Sequence, residues 1–108
     1  MTLEGRIRSV LLLQPRDGDY DALVALFKQH DILGLAMREA GCLNAELQVP
    51  VNRTGPIVVT AVWTSAAGYA AWRSHPVRER LSTDIERLTE RAPESIAGGV
   101  YTIAAAVG

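Results

Sequence analysis

Within the stretch Ile57 to Pro76 (IVVTAVWTSAAGYAAWRSHP) the chain places both of its tryptophans, one of its three tyrosines and one of its two histidines. Trp63 can donate its indole N–H to a ligand oxygen, and Tyr69 can donate through its hydroxyl or move a proton. Trp72 lies one helical step beyond Tyr69, so the two share a face. His75 and His30 are the candidate general bases, because an imidazole changes charge near neutral pH. Each group also has a plain structural reading. Trp63 suits core packing at a strand end, and Trp72 suits helix packing. His30 can be a satisfied core histidine, and His75 can simply mark the break before Pro76.

A second set can shape a binding pocket. Val59, Ala61 and Trp63 share one face of an apolar strand and could floor a cavity for a flat ligand. Gln48 is a candidate polar contact, although it points away from the strand face that carries Leu47. Arg78 and Arg80 read first as solvated helix residues; Arg78 could also pair with a phenolate or carboxylate. The lone Cys42 packs as a small apolar group and cannot form an internal disulfide. The histidines, the cysteine and the scattered carboxylates have no metal-site spacing, and there is no glycine-rich phosphate loop.

The elements that must position these groups follow from pattern. The chain has 108 residues, 48% hydrophobic and 21% charged, which suits a single globular domain over 1–108. A net charge of -1 leaves no electrostatic footprint for nucleic acid or an anionic membrane. No apolar run approaches the roughly 20 residues that cross a bilayer, and MTLEGRIRSV lacks a signal-peptide layout. The expected location is therefore cytoplasmic.

Arg6 to Leu13 is a branched and leucine-rich run, predicted as strand one. Asp19 can cap a helix whose stripe runs Leu23, Leu26, Phe27, His30, Leu33 and Met37, bending near Gly34 and stopping at Gly41. Cys42 to Val49 alternates as strand two, and a turn over 50–56 joins it to strand three, Ile57 to Trp63, in a hairpin. Ser65 caps a short helix to Arg73. Ser74 and Pro76 restart a helix that ends at Pro93. Gly98 and Gly99 precede a last strand, Val100 to Val107. The order β-α-β-β-α-β predicts a ferredoxin-like α+β fold with a four-stranded antiparallel sheet. Strand three carries no charge on either face, so the sheet's second face predicts a homodimer packed through it.

The order of elements, the length and several short motifs resemble the antibiotic biosynthesis monooxygenase family of dimeric α/β-barrel proteins. The motifs are Glu39-Ala40-Gly41-Cys42-Leu43, the hairpin, Val62-Trp63-Thr64-Ser65 and Tyr69-Ala70-Ala71-Trp72. The resemblance covers nearly the whole chain. It implies one of two chemistries. In the cofactor-independent branch, which oxidises anthrone-like hydroquinones with O₂, Trp63 and Tyr69 match pocket residues. An asparagine of that branch falls near Val59, and its last-helix arginine falls near Ser82. In the heme-degrading branch Trp72 matches a tryptophan that presses on the porphyrin. The heme-ligating histidine of that branch falls near Ser82, and its strand-one asparagine falls within Val10–Leu12. The resemblance thus implies a monooxygenase of secondary metabolism acting on a polyketide-like aromatic and O₂, with no cofactor. Heme degradation is the alternative among oxygenases. A non-oxidative isomerase or cyclase, or a small-molecule binding module, could use the same dry pocket.

Overall fold

The computed structural model describes residues 3–90 and 98–108. Strand β1 (Ile7–Leu13) pairs antiparallel with β3 (Ile57–Trp63) on one side and with β4 (Gly99–Thr102) on the other, and β2 (Asn44–Gln48) extends the sheet beyond β3. The order β2-β3-β1-β4 puts the two most apolar segments at the centre. Helices α1 (Tyr20–Gln29), α2 (Ile32–Ala40), α3 (Ala66–Arg73) and α4 (Pro76–Arg87) complete the α+β, ferredoxin-like fold.

Register decides which residues face the helices. Ser9, Leu11 and Leu13 lie opposite Ala61, Val59 and Ile57, and Ala45 and Leu47 of β2 continue the same face. Two apolar clusters form above it. Leu13 and Ile57 pack with Tyr20, Leu23, Phe27 and Ile32, whereas Ala61 and Trp63 pack with Ala36, Cys42 and Trp72. The opposite face carries Arg8, Val10 and Leu12 beside Val58, Thr60 and Val62.

Strands one and two are one to three residues shorter than expected, and three larger departures each have a local reason. The expected single helix is two, and the break falls at His30–Asp31 rather than at Gly34. Asp31 adopts the left-handed conformation (φ 48°, ψ 47°), which a short polar side chain tolerates better than most. Gly34 stays inside α2 because the Asp31 carboxylate folds over it; a Cβ there would sit 2.4 Å from Asp31 Oδ2. Helix α4 ends at Arg87, with Leu88 as its cap residue, while Pro93 lies outside the described residues. Strand β4 stops at Thr102 because its partner runs out. Two further bonds follow, Ile103 N–H to the Arg6 carbonyl and Gly5 N–H to the Ile103 carbonyl, where Gly5 (φ 83°) turns the chain aside.

The strand-to-strand turns and caps explain the rest. Asp19 accepts from the Ala22 N–H at 3.1 Å, and Ser65 accepts from the Gly68 N–H at 3.3 Å. The far end of α4 is clasped to the exit of β1. Arg16 donates to the Arg87 carbonyl at 3.1 Å and the Thr89 carbonyl at 2.8 Å, and Pro15 bridges Thr89. Main-chain bonds from Arg16 to Leu88 and from Glu90 to Gln14, both 2.9 Å, complete the clasp.

Candidate active site

A cavity of about 570 Å³ lies between the sheet and the helices. Its floor is Ser9, Leu11, Ala45, Val59, Ala61 and Trp63, brought together by the β1-β3-β2 register. Phe27, Ile32, Leu33 and Ala36 wall it from α1 and α2; Leu81, Ser82 and Ile85 wall it from α4. The volume falls in the range that holds a drug-sized ligand, and the middle is aliphatic.

One end is aromatic. Trp63 ends β3 fully buried on the helix-facing side of the sheet, where it packs against Ala36, Cys42, Ala61 and Trp72. The chain turns at Thr64–Ser65 into α3, which brings Tyr69 back over it: the ring centroids are 5.6 Å apart and tilted by 53°. Trp72 is buried one helical step on and also lines the cavity. The indole N–H of Trp63 donates to the Ser9 hydroxyl at 2.9 Å, in a buried bond. It is therefore directed across the sheet rather than at a ligand.

The same end is cationic. Arg78, in the first turns of α4, lines the cavity half-buried and donates to the Arg73 carbonyl at 3.4 Å. Burial lowers its pKa from the ordinary value; attraction to Tyr69 opposes that shift, and the like charge of Arg73 adds to it. Arg73 stands 5.9 Å over the Tyr69 ring. A negative oxygen near Tyr69 would thus meet one half-buried guanidinium and one exposed one. The other end of the cavity is lined by Gln14, Glu86, Thr89 and Glu90, around the Arg16 clasp.

Six of the residues singled out from the sequence meet in this space: Trp63, Tyr69, Trp72, Val59, Ala61 and Arg78. Three do not. His30 is the exposed C-terminal cap of α1, because the break at Asp31 carries it off the apolar stripe. Gln48 lies on the opposite sheet face, where its amide donates to Glu46 Oε1 at 3.0 Å and Thr60 Oγ1 at 3.2 Å. His75 caps α4: its Nδ1 accepts from the Val77 N–H at 3.1 Å, its ring lies 5.7 Å from Trp72, and its Nε2 is 3.8 Å from Glu39. Its chemistry is spent on the helix start. Ser9 and Ser82 also line the cavity: Ser82 is the position near which the resemblance places a functional arginine or histidine, whereas Ser9 was not anticipated. Ser9 had a signal, as a polar residue on the same strand face as Ile7, Leu11 and Leu13.

Cys42 is buried behind Trp72, and burial raises its thiol pKa. Among the described residues no three His, Cys, Asp or Glu side chains gather as a metal site. No described helix is long and apolar enough to cross a membrane.

Several solved structures share this fold. SnoaB, a cofactor-independent oxygenase from Streptomyces nogalater solved as a point mutant, superposes with a TM-score of 0.75 at 14% identity, covering 95% of this chain and 97% of that one. A dimeric ferredoxin-like protein of unknown function from Jannaschia sp. gives 0.70 at 17% identity, covering 92% and 100%. Rv0793 from Mycobacterium tuberculosis gives 0.69 at 19% identity, covering 95% and 97%. At these identities the likeness concerns the fold alone. No functionally curated protein matches the chain. The sequence model of the antibiotic biosynthesis monooxygenases matches residues 6–83, which span β1 through most of α4 and include every aromatic residue of the cavity. The chain belongs to the antibiotic biosynthesis monooxygenase family.

Proposed function

We propose that this protein is a cofactor-independent monooxygenase that oxidises a flat, acidic aromatic, of the anthrone or hydroquinone class, with O₂. The observation that carries this reading is the Tyr69–Arg78 pair at the aromatic end of a mostly apolar cavity. The aliphatic middle and aromatic end offer a flat ring apolar walls, and a half-buried guanidinium favours the substrate anion from which the chemistry starts.

The steps balance without a further electron source. The substrate CH₂ or phenol loses a proton, and the anion passes one electron to O₂. The resulting radical and superoxide combine at carbon to a peroxide. The peroxide anion takes the first proton back, and the remaining C–H proton then leaves together with hydroxide as one water, so R₂CH₂ and O₂ give R₂C=O and H₂O. Tyr69 holds the substrate oxygen or relays its proton, Arg78 stabilises the anion, and Trp63 and Trp72 hold the ring and keep water out. The two histidines have no part in this arrangement.

Heme is a poor fit to these walls. The position that resembles the ligating histidine of the heme-degrading branch is Ser82, whose hydroxyl donates to the Glu79 carbonyl at 2.6 Å. We further propose a homodimer through the second sheet face, where Val10, Leu12 and Val58 are only partly covered. The dimeric ferredoxin-like neighbour supports that assembly.

Oxygen uptake with dithranol, without added metal or flavin, tests the activity. One O₂ consumed per dithranol, faster than the spontaneous rate, is expected; uptake at the spontaneous rate would overturn the reading. A Soret band on hemin titration would overturn the choice against heme. Light scattering at micromolar concentration should give twice the chain mass.

A further inference from the structure

Ser9 is a polar residue set into an apolar floor, with Ile7 and Leu11 beside it on the strand and Ala61 across from it. It is more than nine-tenths buried and lines the cavity. Its oxygen accepts the Trp63 N–H at 2.9 Å. A serine hydroxyl has one proton and two lone pairs, and the indole bond uses only a lone pair. Among the described residues no acceptor takes the proton. The strand neighbours are hydrocarbon, so the direction left to the O–H is the cavity. Donation from the indole also polarises the hydroxyl and makes it a better donor in turn.

We propose that the Ser9 hydroxyl is the hydrogen-bond donor that meets a carbonyl or oxyanion oxygen of the ring bound in the cavity, and that Trp63 is the positioning residue behind it. The class of ligand rests on the monooxygenase reading above; the donor assignment rests on the Ser9–Trp63 geometry. The site therefore selects an aryl ketone or its enolate over the hydrocarbon ring of the same shape. Trp63 acts on the ligand through Ser9, and its own N–H does not reach it.

The test compares Ser9→Thr with Ser9→Val, which share a shape and differ by the hydroxyl. Binding of anthrone and of 9,10-dihydroanthracene is followed without oxygen, by quenching of tryptophan fluorescence. The wild type and Ser9→Thr should prefer anthrone. Ser9→Val should lose that preference by roughly threefold to tenfold, with dihydroanthracene affinity unchanged. If the added methyl prevents folding, Ser9→Ala against the wild type reads the same difference. An anthrone preference that is equal in Ser9→Val and Ser9→Thr, or in Ser9→Ala and the wild type, would refute the assignment. If the preference follows the hydroxyl while dithranol oxidation stays at the spontaneous rate, the donor assignment stands and the monooxygenase reading fails.

Discussion

The Trp63–Ser9 bond ties the end of one central strand to the start of the other, and a double-mutant cycle measures its worth to the fold. Trp63 is 1% exposed and packs against Ala36, Cys42, Ala61 and Trp72. Trp63→Phe removes the pyrrole ring and the N–H. The lost contacts cost about 1–2 kcal/mol and the bond about 1 kcal/mol, so roughly 2–3 kcal/mol in all. Ser9→Ala strands the indole N–H beside the cavity, where water can reach it, and should cost about 1–2 kcal/mol. The double variant should cost less than the sum by about 1 kcal/mol, because the bond can be lost only once. Urea unfolding followed by far-ultraviolet circular dichroism reads these differences, at slopes of about 1–3 kcal/mol per M. Additivity within about 0.3 kcal/mol would mean that the bond contributes nothing, and the argument for Trp63 as a positioning residue would fall with it.

Arg78 should separate stability from binding. Burial disfavours its charge, and among the described residues no carboxylate is within ion-pair distance of it. Arg78→Met should leave the melting temperature unchanged or higher while weakening binding of a phenolic anthraquinone about tenfold; a lower melting temperature with intact affinity would contradict this. His75→Ala should cost about 1 kcal/mol in urea unfolding through loss of the Val77 cap, and His75→Asn should restore most of it, since asparagine caps helices well. The Cys42 thiol is raised above its ordinary value of 9.0 by burial, with its backbone hydrogen bond opposing. The folded chain thus keeps a proton that the unfolded chain gives up. That contribution is complete below pH 9 and is lost as pH rises beyond it, so unfolding free energy should decline there less steeply in Cys42→Ala than in the wild type.

Local patterns carried the framework and failed where the deciding contact was distant. Asp19 and Ser65 are legible as caps because capping needs only a partner three residues away. The alternation of strand two correctly set Gln48 opposite Leu47. What it could not show was that the cavity lies on the Leu47 side alone. The apolar stripe runs unbroken through His30, so nothing in its period marked the left-handed turn at Asp31; only the Gly34 gap that receives the carboxylate accounts for it. His75 read as a base because of its titration, yet its position just before Pro76 makes it a cap. Ser9 stood out as a polar residue on an apolar strand face, but its bond was hidden because the partner is 54 residues away on another strand.

The Arg16 clasp bears on how anything leaves the cavity. Helix α4 has no fully buried side chain; Leu81 and Ile85 pack only partly covered against the core. It is held near its ends, by the His75 cap at one and by the Arg16, Pro15 and Gln14 bonds at the other. Opening this wall therefore means breaking a few polar contacts at the far end as well as the partial packing of Leu81, Ile85 and Leu88. On the proposed reading an apolar product leaves past this wall, and the guanidinium that holds two carbonyls is the contact its lifting must break.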